Sequence, residues 1–354
     1  MDNKIREVLA FDDVLLVPKY SEIKSREEVS LGSYLDSNLD IKLEIPIISA
    51  PMDTVTEYMM AEAMHENGGL GIIHRFNTIA KQLDLCRLSS FKCGAAIGVK
   101  ENDVFHRVES LHKSGIKLFC IDVAHGHHEN VRNTIKLLKK EYGKNIHLMV
   151  GNVATYLGAH DLASWGADSI KVGLGGGSIC ATRVNTGHGI PTFQSILDCS
   201  QIKEKFDVKI IADGGHRYTG DIIKSLAIGA DFVMLGSMLA GTSETPGSII
   251  TNDFDSNQRY KIYRGMASSE AQYDFNKDIR SNEGISVKIP FKGHVKDILD
   301  NIKLNLSSGL SYSGAKDIKE LQYYATFVKQ TNAGITESST HIENNGGIKS
   351  YGGK

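Results

Sequence analysis

The sequence predicts a (β/α)8 TIM barrel on three observations: eight short apolar runs between residues 45 and 236, amphipathic stretches of helical period between them, and glycines just past the ends of those stretches. The runs are 45–50, 70–74, 93–99, 118–124, 146–153, 169–173, 208–214 and 232–236. They lack strict alternation, as parallel strands do when helices cover one face and a filled barrel interior the other. Helical patterns include 55–67, 102–114, 127–142, 156–165, 192–206 and 219–228. Gly68, Gly115, Gly143, Gly166 and Gly229 stand at C′ positions, where the left-handed turn favours glycine. Eight βα repeats favour a closed barrel over the alternative, an open doubly wound sheet.

Outside the repeats, residues 1–44 read as an N-terminal extension that caps the barrel bottom or meets a neighbouring subunit. Residues 253–294 read as an irregular flap after strand eight, 314–329 as a helix, and the Gly/Asn/Ser-rich residues 332–354 as a disordered tail. Residues 1–331 are thus expected to form one catalytic domain.

Composition narrows the partners. The 354 residues are 41% apolar, and 40 basic residues are interleaved with 42 acidic ones, so no basic footprint points to nucleic acid or an anionic membrane. A small molecule is the expected partner. Cys86, Cys93, Cys120, Cys180 and Cys199 are odd in number and show no CxxC spacing, which argues against a disulfide framework and for a reducing, cytoplasmic setting. The N-terminus carries charges where a secretory signal needs an apolar run, and no run approaches membrane-span length.

A barrel concentrates chemistry on the loops after its strands. After strand six comes GLGGGSICATR (173–183), where glycines let backbone N–H groups approach an anion and carbonyls face a cation. An isolated cysteine is more often a small buried hydrophobe. Cys180, beside Ser178, Thr182 and Arg183 in such a loop, reads instead as a nucleophile. Asp213-Gly214-Gly215 after strand seven and Gly236-Ser237 after strand eight occupy the usual phosphate corner of barrels, with Asp213 free to accept from ribose hydroxyls.

At these residues the chain resembles the inosine monophosphate dehydrogenase and guanosine monophosphate reductase family. The likeness runs through FDDVLL (11–16), SAPMDTVTE (49–57), GIIHRF (71–76), GNVAT (151–155), IADGGHRYTGDI (211–222), YRGM (263–266) and PFKG (290–293). The family's strand-six loop reads GIGPGSICTTR, so Gly176 replaces a proline and Ala181 a threonine here. The resemblance implies that Cys180 attacks purine C2 with Thr182 as hydroxyl partner. It implies that Ser178, Gly215, Gly236, Ser237 and Tyr263 contact phosphate, that Asp213 contacts ribose, and that Gly265 and Met266 lie at the base. Asp122 and Asn152 are implied near the nicotinamide cofactor. Carbonyls of Gly175, Gly177 and Cys180 correspond to a monovalent-cation (K+) site in many relatives. A homotetramer is also implied. Many family dehydrogenases insert a pair of cystathionine-β-synthase-type (CBS) modules after the second helix, whereas here Ser89-Ser90-Phe91-Lys92 leads straight into strand three, so no CBS module is expected.

The resemblance divides over direction. Dehydrogenases carry an Arg-Tyr pair in a long flap, the arginine activating water; no Arg-Tyr pair follows Met266 here. GMASSE (265–270) and RSNEG (280–284) are similar to the reductase wording. In that reading Arg280 and Gly284 contact the nucleotide, Ser268 and Ser269 line the cofactor approach, and Glu283 with Thr182 relays a proton to departing ammonia. The expected reaction is NADPH-dependent conversion of GMP to IMP. The alternatives are IMP oxidation with NAD, favoured by the wording of SAPMDTVTE and IADGGHRYTGD, and a catalytically silent nucleotide-binding barrel. His125, His127 and His128 lack a carboxylate at ligand spacing and are expected near the cofactor, not on a metal.

Overall fold

In the computed structural model, described for residues 5–252, 255–276 and 283–338, the eight apolar runs become β1 (Ile47–Ser49), β2 (Leu70–Ile73), β3 (Gly94–Ile97), β4 (Leu118–Asp122), β5 (His147–Val153), β6 (Ser169–Val172), β7 (Lys209–Asp213) and β8 (Phe232–Leu235). They close into a parallel barrel in sequence order, β8 returning to β1 with Val233 opposite Ile47. The intervening helices are α1 (Tyr58–Glu66), α2 (Ile79–Leu88), α3 (Glu101–Lys113), α4 (Glu129–Tyr142), α5 (Tyr156–Trp165), α6 (Thr182–Thr186), α7 (Thr192–Ser200) and α8 (Thr219–Ala227). Local chemistry sets their ends. The Thr155 hydroxyl accepts from Gly158 N–H at 3.1 Å to start α5, a cap worth about 1 kcal/mol. Gly166 then stops α5 at φ 114°.

Alternation along the strands divides the core in two. One set packs under the helices. The other fills the barrel: Ile48, Ile72, Ala96, Cys120, Met149, Ile211 and Met234 are buried together. The next inward positions toward the carboxyl ends of β4, β6 and β7 are Asp122, Lys171 and Asp213, so the barrel turns polar where it opens to ligand. At the opposite end, the hairpin Ser33–Asp36 and Ile41–Leu43 inserts Leu35 and Leu43 into the inner cluster. Burying each leucine contributes roughly 1.5–3 kcal/mol. His147 on β5 joins Asp36 Oδ2 at 3.0 Å to Ser169 Oγ at 2.8 Å, tying that hairpin to the barrel floor.

Beyond β8 the structure is more regular than the sequence suggested. β9 (Ile250–Asn252), β10 (Asp255–Arg264) and β11 (Ser286–Pro290) form an antiparallel sheet, with α9 (Ser269–Asn276) between β10 and β11. The helix expected over 314–329 is divided. An unanticipated α10 (Val295–Tyr312) buries Val295, Leu299, Ile302, Leu306 and Leu310 and ends before Gly314, at φ 66°. A short helix, Ile318–Tyr324, capped by Asp317, then gives way to the strand Phe327–Lys329, which pairs antiparallel with Val14–Leu16. Within the segment read as a disordered tail, Asn332–Glu337 is helical, with the Thr331 hydroxyl accepting from Gly334 N–H; residues 339–354 lie outside the described part. The step from α2 to β3 is direct through Ser89–Lys92. Among the described residues no helix is long and apolar enough to cross a membrane.

Candidate active site

The loop between β6 and α6 is shaped by close backbone approach. A Cβ on Gly173 (φ 146°) would sit 1.9 Å from the Asp213 carbonyl oxygen, so only glycine lets the loop leave β6 alongside the end of β7. Arg183 braces the loop, its guanidinium donating to the Leu174 carbonyl at 3.3 Å and the Ile190 carbonyl at 2.7 Å. The cysteine segment also zips onto the chain returning from α9: Ala181 N–H donates to the Glu283 carbonyl at 2.8 Å and Ile285 N–H to the Ile179 carbonyl at 3.1 Å. Cys180 and Glu283 are thus held near each other by backbone bonds.

Cys180 is exposed, while the other four cysteines are buried. Its thiol donates to Thr182 Oγ1 at 3.2 Å, and the Thr182 hydroxyl donates to Glu283 Oε2 at 2.8 Å. This chain of hydrogen bonds can carry a proton from sulfur to carboxylate and return it.

Two cavities meet at Cys180 and Thr182. The smaller, about 220 Å³, is lined by Ser178, Asp213, Gly215, Gly236, Ser237, Tyr263, Gly265, Met266 and Glu283 as well. At its polar end burial pushes the Tyr263 phenol up to about 12, with the Ser178 hydroxyl bonded to it, so near neutrality it is an uncharged donor. The backbone of Gly265 crosses that of Gly284 in close contact, and Gly265 N–H donates to the Ile285 carbonyl at 3.0 Å. Met266 is positioned by Asp53 N–H, which donates to its sulfur at 3.3 Å.

The larger cavity, about 750 Å³, opens across the barrel mouth and is lined by Asp122, Asn152, Lys171, Asp213, Arg75, Phe76, Gln272 and Phe275 among others. Lys171 was missed in the sequence. Its ammonium is buried between the carboxylates of Asp122 (2.5 Å) and Asp213 (3.3 Å). Burial would push it down, but the two carboxylates outweigh burial and hold it above the ordinary lysine value. Asn152 Nδ2 donates to Asp213 Oδ2 and to the Gly173 carbonyl, both at 2.9 Å, so Asp122, Asn152 and Asp213 form one network around Lys171. The sequence signal was available: a lone lysine in a strand covered on both faces needs a carboxylate partner.

Ser268 and Ser269 line neither cavity. Ser268 is buried, and its hydroxyl accepts from Ala271 N–H at 3.2 Å, capping the first turn of α9. That segment reaches the larger cavity through Ala267, Gln272 and Phe275 instead, with Phe275 edge-on to Phe76 at 5.4 Å. Gly284 lies behind Gly265 and not on a cavity wall. Arg280 falls outside the described residues. An Arg-Tyr pair does occur before Met266, at Arg259 and Tyr260, but Arg259 lies over the Phe291 ring at 4.6 Å and the Tyr260 hydroxyl donates to Gln258, so both serve the β9–β11 sheet. Of the carbonyls expected to face a monovalent cation, that of Gly177 accepts from Cys180 N–H at 3.1 Å. Among the described residues no group of three His, Cys, Asp or Glu is arranged for a metal ion. His127 is bonded to Asp161 at 2.9 Å.

A parallel barrel that presents an exposed cysteine between two cavities at its mouth is the class defined by this fold and site. Residues 8–341 match the model of the IMP dehydrogenase / GMP reductase domain. Over 96% of its length the chain is 34% identical to the inosine-5'-monophosphate dehydrogenase of Nitrosopumilus maritimus, 99% of which is covered. Over 94% it is 37% identical to that of Cryptosporidium parvum, of which 94% is covered. A solved cysteine-to-alanine variant of the GMP reductase of Trypanosoma brucei, in complex with guanosine 5'-monophosphate, is similar at a TM-score of 0.89 and 29% identity, covering 96% of this chain and 99% of that one. The chain belongs to the IMP dehydrogenase / GMP reductase family of purine-nucleotide oxidoreductases.

Proposed function

We propose that this chain is a GMP reductase, converting GMP, NADPH and a proton to IMP, ammonia and NADP+. The observation that carries the reading is the relay from Cys180 through Thr182 to Glu283, in a segment after Met266 that holds no Arg-Tyr pair to activate water. The phosphate of GMP would take the end of the smaller cavity at Ser178, Gly215, Gly236, Ser237 and Tyr263, its ribose Asp213, and its base the space between Met266 and Cys180. The larger cavity would hold the nicotinamide dinucleotide beside Asp122 and Asn152, on the other side of Cys180.

Cys180 would give its proton through Thr182 to Glu283 as sulfur bonds to C2. The same proton would return to the 2-amino group, and the C2–N bond would break with loss of ammonia. The dinucleotide, when bound, supplies the hydride that C2 gains as the C–S bond breaks and the thiolate leaves. A proton from solvent then restores the thiol. One sulfur, one acid and one hydroxyl serve every proton movement, so no further base is needed.

The second reading, oxidation of IMP to XMP with NAD, is favoured by the names of the sequence relatives above. Absorbance at 340 nm separates the two. Loss of NADPH signal with GMP alone supports the reductase; appearance of NADH with IMP alone overturns it in favour of the dehydrogenase. Protection from melting by GMP with turnover of neither pair would overturn both in favour of a silent binder.

A further inference from the structure

We propose that Lys261 is a positioning residue for the phosphate end of the smaller cavity. Its ammonium joins the loop that follows β8 to the strand that carries Tyr263, and so sets the spacing of the donors that would meet a nucleotide 5′-phosphate. The proposal rests on the reading of that cavity as a nucleotide monophosphate site, and not on the direction of the reaction.

The loop, residues 236–249, first turns back on itself, with Leu239 and Ala240 N–H donating to the Gly236 carbonyl at 3.1 and 2.8 Å. Gly236 and Ser237 remain on the cavity wall. Further along, the carbonyls of Thr242, Ser243 and Thr245 converge on Lys261 Nζ at 3.1, 3.5 and 2.5 Å. An ammonium has three donors, so three carbonyls satisfy it. Lys261 is 2% exposed, and no carboxylate among the described residues bonds it. Glu244, the only acidic residue of the loop, accepts instead from Val295 N–H at 2.9 Å, at the start of α10. A buried ammonium without a counter-ion costs stability that an apolar side chain would not, so what it contributes is fixed geometry.

The strand shows what is fixed. Along β10, Lys261 and Tyr263 are buried on one face while Ile262 is exposed on the other. Lys261 stands opposite Ile289 and Tyr263 opposite Val287 on β11, so the position of one along the strand sets that of the other. The Tyr263 hydroxyl is bonded to Ser178, and a Cβ on Gly236 would lie 3.1 Å from its oxygen. Tyr263 thus stands where the loops after β6 and β8 meet. Sliding the loop against the strand would separate Gly236 and Ser237 from Tyr263, and a phosphate held by all three would lose donors.

The test is titration calorimetry of the full chain with GMP, IMP and guanosine, which lacks the phosphate. Lys261→Met should weaken GMP and IMP on the order of tenfold and leave guanosine within about twofold of the parent. Lys261→Gln keeps two N–H donors without the charge, and carries the same comparison with a smaller loss should the methionine variant not fold. In a Tyr263→Phe background Lys261→Met should weaken GMP less than about threefold, because the donor it positions is gone. Lys139, bonded to Asp168 and to the Gly143 and Ile146 carbonyls at the amino ends of β5 and β6, is the control. Lys139→Met should lower Tm and leave all three affinities unchanged. Equal loss for GMP and guanosine, an unchanged GMP affinity, full additivity with Tyr263→Phe, or an equal loss in Lys139→Met would overturn the role of Lys261. Failure of the parent to bind GMP or IMP would overturn the reading of the cavity, and the proposal with it.

Discussion

Lys171→Met is the most informative single change, because it removes a charge and keeps the volume. Lys171 is 1% exposed, while the side chains of Asp122 and Asp213 keep 23% and 20% of their exposure. Taking away one partner of a buried ion group costs about 3–5 kcal/mol, chiefly as uncompensated charge on the members left behind. Residual solvent on both carboxylates places this case at the lower end, about 3 kcal/mol. At roughly 2–4 °C per kcal/mol for a large domain, Tm at pH 8 should fall by about 6–12 °C. The pH dependence carries the sign. In the parent protein the folded pKa of Lys171 is raised, so its contribution is fully present below the ordinary lysine range and is lost only as pH rises through the folded value. In the variant two like charges face each other, which raises the folded pKa of one carboxylate. The folded state then binds more protons than the unfolded one, and stability should recover as pH falls from 8 to 5. The assay is a series of thermal melts across that range, with GMP titrated at each pH. A variant that melts within about 1 °C of the parent at pH 8, or that loses stability on acidification, would refute the bridging role of Lys171.

Glu283→Gln and Thr182→Val should each lower kcat about 10²–10⁴-fold, while Thr182→Ser keeps most activity and all three retain the melting shift given by GMP. Loss of that shift would make the defect one of binding. Tyr263→Phe should raise KM for GMP about tenfold with kcat held, the loss of one donor to a charged group; an unchanged KM would remove Tyr263 from the phosphate site. Burial pushes His216 down to about 4, with Nε2 bonded to Ser225 Oγ at 2.7 Å. A base with a depressed folded pKa costs stability as pH falls from its ordinary value of about 6.5 toward the folded one, up to about 3 kcal/mol. His216→Ile should flatten that acid arm of the Tm profile, and an arm of undiminished slope would assign it to other groups.

The barrel was legible because its strands are short, apolar and recur with helical stretches between them, and because glycines mark where several of the helices stop. What escaped depended on distant partners. Val14–Leu16 and Phe327–Lys329 pair across nearly the whole chain, and nothing local in Phe327-Val328-Lys329 distinguishes a strand from the helix preceding it. The helix α10 is a different case. Val295, Leu299, Ile302, Leu306 and Leu310 show the 3–4 spacing plainly, and it was lost because residues 295–313, between the flap read over 253–294 and the helix read over 314–329, were assigned no element. At the site, Cys180, Thr182 and Asp213 stood out through their loops. Ser268 was misleading: a serine just before a helix serves as readily to cap it as to face a ligand.

The segment after Met266 also changes the question of direction. Glu283 reaches Thr182 because Ala181 N–H and the Glu283 carbonyl are paired in the same backbone ladder that sets Cys180 opposite Gly284. Glu283 is therefore fixed relative to Cys180 by main-chain geometry. A relay fixed in this way suits a leaving group that departs from the atom sulfur has just attacked, because proton donor and reacting carbon keep one geometry through both steps. Hydrolysis of the same adduct needs an additional group that orients and deprotonates incoming water. The Arg-Tyr pair of this region, Arg259 and Tyr260, is committed to the β9–β11 sheet. On that reasoning, any oxidation of IMP by this chain should depend wholly on Glu283 as base. Glu283→Gln would then abolish it across the pH range, and persistence of IMP oxidation in that variant at high pH would show a second base at work.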